Sequence, residues 1–167
     1  MYKNLLSEIL DDFLYLGGDL VARNEQQLRE AGITHVINCA ADYSEDYFKD
    51  KGIKYKSYHL KDHVHEDIAC VFYDAIEFLK SAKDEGGKVF VHCVQGISRS
   101  ATIVIAYIIY TTKMSYNESY TLCRSRRPCA NPNMAFIAQL DQWWKRLHDP
   151  DFDSLKKAQR VFLINSH

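Results

Sequence analysis

An α/β fold, with a central and mostly parallel sheet flanked by helices, is what this chain of 167 residues predicts. Three observations carry the prediction. Short apolar or β-branched runs at 33–37, 54–60 and 88–91 alternate with longer segments whose apolar residues recur at helical spacing, the pattern of βαβ units. The segment 98–112 is apolar almost all round, so it belongs in the interior of a domain and not on its surface. The join between the 88–91 strand and that helix is a compact turn from His92 to Ser100. It lies at a strand's carboxyl end, where open α/β sheets hold their ligands.

Local signals order the elements. Asn24 with Gln27 forms an N-cap pair, Leu28 and Ala31 share a face, and Gly32 stops that helix ahead of the 33–37 strand. Asp67 reads as the N-cap of the next helix, because Ile68, Val71, Phe72, Ala75, Ile76 and Leu79 follow at helical spacing. Gly86 and Gly87 then turn the chain into the 88–91 strand. Ser115 and Glu118 make a capping box for a helix ending near Arg126. Asn133 caps a last helix that directs Phe136, Ile137, Leu140, Trp144 and Leu147 inward. Asp149-Pro150-Asp151 is a helix stop, which divides the chain into a domain over 1–148 and a tail over 149–167. In the tail, Leu155, Ala158, Val161 and Phe162 lie near helical spacing, and a docked helix is expected because a free one would expose an apolar patch.

Composition narrows the function. A hydrophobic content of 47% over this length supports one good core. A formal charge of −1 lacks the basic excess that nucleic-acid binding requires. Cysteines at 39, 70, 93, 123 and 129 form no C-x-x-C pair and no signal peptide is evident, so the expected setting is a reducing one, cytoplasmic with nuclear access open. The most apolar run, 101–110, is far shorter than the ~20 residues of a membrane span, and no lipidation motif is seen. His63, His65, Glu66 and Asp67 lack the pattern of a fixed ligand set, so neither metal nor cofactor is expected.

The turn from His92 to Ser100 carries the chemistry. A strand-to-helix loop points successive backbone N–H groups into a concave nest, and the following helix adds partial positive charge there. A phosphate dianion binds such a nest directly. The same dipoles stabilise a thiolate at Cys93, with a pKa lowered from about 8.5 toward roughly 3.5–7.5. Arg99 can offer two parallel N–H groups to phosphate oxygens, and Gly96 lets the loop curl where a side chain would fill the anion site. Val94, Gln95, Ile97 and Ser98 supply the remaining amides. Ser100 either reaches back to the Cys93 thiolate, aiding its departure from a phosphocysteine, or faces solvent. His92 counts among the substrate-binding residues of the loop, ordering it through its ring nitrogens, with a core histidine as the plainer reading.

The segment His-Cys-Val-Gln-Gly-Ile-Ser-Arg-Ser-Ala-Thr resembles the active-site loop of cysteine-dependent protein phosphatases, and specifically of dual-specificity phosphatases. The resemblance runs on through Ile103 to Tyr107, then Arg127-Pro128, Asn131-Pro132-Asn133 and Phe136-x-x-Gln139-Leu140. Upstream, 13–18 and 35–38 look like the family's early strands, so the likeness spans roughly residues 8–148. It implies a sheet of about five strands, the active-site loop before a central helix, and the small atypical type without a kinase-docking module. It also implies a general acid on a loop after the 54–60 strand, for which Asp62 ranks first and Glu66 second.

The reaction implied is hydrolysis of phosphotyrosine and of phosphoserine or phosphothreonine through a phosphocysteine. The partners implied are phosphoproteins, with signalling kinases among them, and the chain is expected as a monomer or weak dimer. Two alternatives stay open: a silent phosphoprotein-binding scaffold, and a phosphoinositide or RNA 5′-phosphatase. Uncharged residues at 94, 95, 97 and 98 weigh against the polyanionic lipid. Gln95 departs from the alanine or glutamate often found at its place. Arg127 is the candidate to receive a second phosphate, the plainer reading of Arg124, Arg126 and Arg127 being solvated charges at a helix C-terminus. Cys39 is either a resolving thiol for an oxidised Cys93 or a small core residue. The loop holding Asp42, Tyr43, Glu45, Asp46 and Tyr47 reads as ordinary surface, with bordering the site as the alternative.

Overall fold

The computed structural model describes residues 2–149 and 151. The expected tail helix lies outside the described residues. A five-stranded sheet forms the centre, built from β1 (Ser7–Leu10), β2 (Leu14–Gly17), β3 (His35–Asn38), β4 (Lys54–Ser57) and β5 (Val89–His92), in the order β1-β2-β5-β3-β4. β2, β5, β3 and β4 run parallel, and β1 pairs antiparallel with β2. β1 carries no strong strand signal in the sequence. Ser7 and Ile9 are buried while Glu8 and Leu10 are half-buried, as befits an edge strand, and Asp12 in the left-handed region (φ 54°) closes its turn.

β2, β3 and β5 are buried on both faces, so alternate residues feed two cores. Leu14, Leu16, Ile37, Val89 and Val91 face one, with α3 (Phe72–Asp84), α4 (Arg99–Thr112) and α6 (Met134–Leu147). Tyr15, Val36 and Phe90 face the other, under α1 (Asp19–Ala22) and α2 (Glu25–Glu30). α4 packs against β2, β5, α3, α5 (Tyr116–Arg126) and α6, the interior position its apolar surface predicts. Trp143 Nε1 donates to the Ala106 carbonyl at 3.1 Å, fastening α6 to α4.

The capping expectations hold at Asn24, which accepts from Gln27 N, at the Ser115–Glu118 box, and at Asn133, which accepts from Phe136 N. Asp67 differs. It precedes a 3₁₀ turn, Ile68–Val71, makes no side-chain cap bond, and the α-helix starts only at Phe72. The tighter turn still buries Ile68 and Phe72, which explains why the apolar spacing looked like uninterrupted α-helix. In α6 the tryptophans divide otherwise than expected. Trp143 is buried with Phe136 and Leu140, edge-on to Phe72 and Tyr73, whereas Trp144 is half-buried.

Candidate active site

Cys93 follows β5 directly, and the chain turns into α4 within the next few residues. Gly96 makes the turn possible. Its φ is +68°, and a Cβ there would stand 2.4 Å from the Gly17 carbonyl carbon. Gly18 is equally constrained, since a Cβ would meet the Val94 carbonyl oxygen at 2.8 Å. The loop is therefore pressed against the end of β2. Gly96 N donates to Cys93 Sγ at 3.3 Å, and Ser100 Oγ lies 3.1 Å from the same sulfur. Burial alone would raise the thiol's pKa. The Ser100 hydroxyl and N–H, the Arg99 charge and the Ile97 N–H outweigh it, and the net shift is downward.

Arg99 is the first residue of α4 and almost wholly buried. Its Nη1 donates to the Leu60 carbonyl at 2.9 Å, tying the loop to the segment beyond β4, while its buried Nε has no partner among the described residues. A buried donor without an acceptor costs about 1–3 kcal/mol, which an anion on the loop would recover. Cys93 and Arg99 line a cleft of about 550 Å³ together with Val94, Gln95, Ile97 and Ser98.

Asp62 lines the same cleft, and its Oδ1 accepts from Asn133 Nδ2 at 3.0 Å. Asn133 serves three elements. It caps α6, donates its own N–H to Ser98 Oγ at 3.0 Å, and holds Asp62. Glu66 lies off the cleft, its carbonyl accepting from Gln139 Nε2. Lys61 and His63 flank Asp62 at the rim.

Two expectations are corrected. Arg127 is fully buried and cannot receive a substrate phosphate. Its Nε donates to Gly96 O at 2.8 Å, its Nη2 to Gln95 O at 3.2 Å, and its Nη1 to Leu5 O and Ser7 Oγ at 2.9 and 3.0 Å. The proline at 128 disfavours helix at the residue before it, and Arg127 accordingly leaves α5 in an extended conformation. Its guanidinium supports the loop from behind. His92 is also fully buried, stacked on Phe90, with Nδ1 directed at the Cys93 carbonyl at 3.4 Å; it sits behind the loop and does not touch the cleft.

Burial pushes the His92 imidazole down to about 4 from an ordinary 6.5. An unfolded chain takes up this proton as pH falls through 6.5 and the folded chain only near 4, so folding stability drains away across that window. The loss is on the order of 3 kcal/mol. In urea titrations between pH 7 and 4, a His92→Asn variant should lose stability less steeply than the parent; parallel slopes would refute the assignment.

Cys39 is buried just after β3, its N–H donating to His92 O at 2.8 Å. Burial and the neighbouring Cys93 hold its thiol well above the ordinary value, which suits a core residue better than an attacking thiol. Asp19 escaped the sequence reading altogether. It accepts from Ser44 Oγ at 2.6 Å, Tyr47 OH at 2.9 Å and Arg23 Nε at 2.6 Å, while its own N–H donates to Val94 O at 3.0 Å. The acidic loop read as ordinary surface is thus fastened to the active-site loop, and Tyr43 from it lines the cleft.

This geometry has close counterparts. "Protein-tyrosine-phosphatase MKP1" of Arabidopsis thaliana is 39% identical over 137 residues, which are 82% of this chain and 17% of that protein. "Dual specificity protein phosphatase 1" of Mus musculus is 40% identical over 143 residues, 86% of this chain and 38% of that one. The chain therefore spans well under half the length of these relatives. Among solved structures, DUSP15 superposes with a TM-score of 0.80 at 29% identity, covering 93% of this chain and 95% of that one. A human tyrosine phosphatase-like serine/threonine/tyrosine-interacting protein superposes at 0.76 with 35% identity, covering 83% and 94%. The family described as "Dual specificity phosphatase, catalytic domain" matches residues 14–146, nearly the whole span from β2 to the end of α6, and the chain belongs to that family.

Proposed function

We propose that the protein hydrolyses phosphotyrosine and phosphoserine or phosphothreonine in protein substrates through a phosphocysteine at Cys93. The observation that carries this reading is the lowered Cys93 thiol, held between Gly96 N and Ser100 Oγ on a loop that also presents Arg99. Cys93 Sγ forms a bond to phosphorus as the phosphoester P–O bond breaks, and Asp62 gives its proton to the departing oxygen. Water then attacks phosphorus and passes a proton to the Asp62 carboxylate. The S–P bond breaks, and the Ser100 hydroxyl stabilises the returning thiolate. Loop amides and Arg99 hold the equatorial phosphoryl oxygens throughout.

Phosphoprotein is favoured over inositol lipids because the loop interior is uncharged. Signalling kinases in phosphorylated form fall within the proposed substrate class. The test is hydrolysis of an aryl phosphate in the presence of chelator, with acid quenching during the first turnover and mass analysis of the peptide carrying Cys93. A phosphorylated Cys93 peptide that forms and decays at the turnover rate is expected. Turnover without that adduct would sink the phosphocysteine mechanism, and no turnover at all would leave phosphoprotein capture as the better account.

Asp62→Ala should lower kcat on a phosphopeptide by about 10²–10⁴-fold. Activated aryl esters, whose leaving group needs no proton, should suffer far less than a phosphopeptide. Equal losses on the two kinds of substrate exclude Asp62 as the acid.

A further inference from the structure

Tyr43 is 71% exposed and Val94 39% exposed, yet both line the cleft above Cys93 and Arg99. Exposed apolar side chains on a protein surface are ordinary when scattered. Here two of them share the mouth of an anion cradle, and both stand on fixed backbone. Tyr43 N and Ser44 N each donate to the Ala40 carbonyl, at 2.8 and 2.9 Å, closing a tight turn. That turn is fastened below by Asn38 Nδ2 to the Ser44 carbonyl at 2.8 Å, and Ala41 N reaches the Tyr58 carbonyl at 3.1 Å. Asp42 beside it pairs with His59 at 2.6 Å.

Asp19 links this turn to the active-site loop. Its carboxylate holds Ser44 Oγ, next to Tyr43, while its N–H holds the Val94 carbonyl. Asp19 therefore ties the backbone beside one apolar side chain directly to the backbone of the other. A tyrosine presented this way loses little freedom when it makes contact, because its backbone is already ordered and its side chain has few rotatable bonds. Lys61, Asp62, His63 and Gln95 in the lining are polar, and Ile97, half-buried, is the further apolar side chain beside Val94.

We propose that Tyr43 and Val94 form an aryl-binding wall that makes the site prefer phosphotyrosine over phosphoserine and phosphothreonine. The proposal rests on the reading of the loop as a phosphate cradle. With phosphate seated at the loop, a phosphotyrosine ring fills the space between cradle and rim and meets both side chains. The short side chain of phosphoserine or phosphothreonine leaves that wall untouched. The aromatic contact adds to the burial of apolar surface, and together they amount to about a tenfold preference.

The test uses one peptide sequence carrying either phosphotyrosine or phosphothreonine. Turnover is measured on the active protein and affinity by calorimetry on a Cys93→Ser background, each with Tyr43 intact, Tyr43→Ala and Tyr43→Phe. The phosphotyrosine-to-phosphothreonine ratio should fall about tenfold in Tyr43→Ala, through KM more than kcat, and return in Tyr43→Phe. A ratio that ignores Tyr43→Ala, or that Tyr43→Phe fails to restore, overturns the aryl wall. Turnover of both peptides with an indifferent ratio overturns the wall and leaves the phosphatase reading standing. Absence of turnover with a ratio of affinities that tracks Tyr43 does the opposite. Failure of both peptides to bind overturns both.

Discussion

Substituting serine for Cys93 is expected to lower kcat by about 10⁴-fold or more while leaving phosphopeptide affinity within a few-fold of the parent. The two effects separate because nucleophile and cradle are different groups. The Gly96 N–H, the Ser100 hydroxyl and the Arg99 charge bring a thiol below its ordinary pKa. A serine hydroxyl ionises so far above neutrality that the same donors leave it protonated. Described residues near the sulfur include no obvious base to take that proton: His92 is behind the loop and buried, and Asp62 is assigned the opposite task. The oxyanion donors survive the substitution, since they are backbone N–H groups and Arg99. Initial rates on a phosphopeptide and calorimetric titration of the same peptide measure the two quantities. A variant retaining a tenth of the parental rate would remove Cys93 from the mechanism, and one that also lost binding would show that the sulfur helps to build the cradle.

How much of this was legible in the sequence depended on whether the relevant groups are neighbours along the chain. Cys93, Gly96, Arg99 and Ser100 lie within one strand-to-helix turn, so residue types and spacing already implied the nest and its thiolate. Caps at Asn24, Ser115 and Asn133 were equally local. β1 was not legible because its pairing with β2 and its edge position come from tertiary context. Asp19 and Tyr43 reach the site through side chains that meet only after β2 and β3 are set on either side of β5. Asn133 displayed its helix cap in the sequence, but its grip on Asp62 joins residues 71 positions apart along the chain. Arg127 is the clearest case. At the end of α5 it looks like a solvated charge complementing the helix dipole, and no periodicity reveals that the proline at 128 takes it out of the helix and into the space beneath the loop.

That placement makes the loss of Arg127 costly to the fold. Arg127→Met keeps much of the volume and removes every donor. Gly96 O, Gln95 O, Leu5 O and Ser7 Oγ then lose their bonds to the guanidinium at once, the Gly96 and Ser7 contacts in buried surroundings where water does not replace them. Unpaired buried acceptors cost about 1–3 kcal/mol each, so losing this network should cost about 3–5 kcal/mol, which for a domain of this size lowers Tm by roughly 10 °C. Arg127→Lys should recover only part of the loss, because an ammonium cannot reproduce a planar fork that meets carbonyls on two separate segments. The damage should not be confined to stability. Gly96 supplies an N–H to Cys93 Sγ, and its carbonyl is the group Arg127 holds at 2.8 Å, so loosening that peptide unit weakens the thiolate's support as well. Urea unfolding gives the first quantity, and vanadate affinity with the thiol titration of Cys93, measured well below the new midpoint, gives the second. A variant within 0.5 kcal/mol of the parent, or one destabilised as expected but with an unmoved Cys93 titration, would show that the loop keeps its shape without the guanidinium behind it.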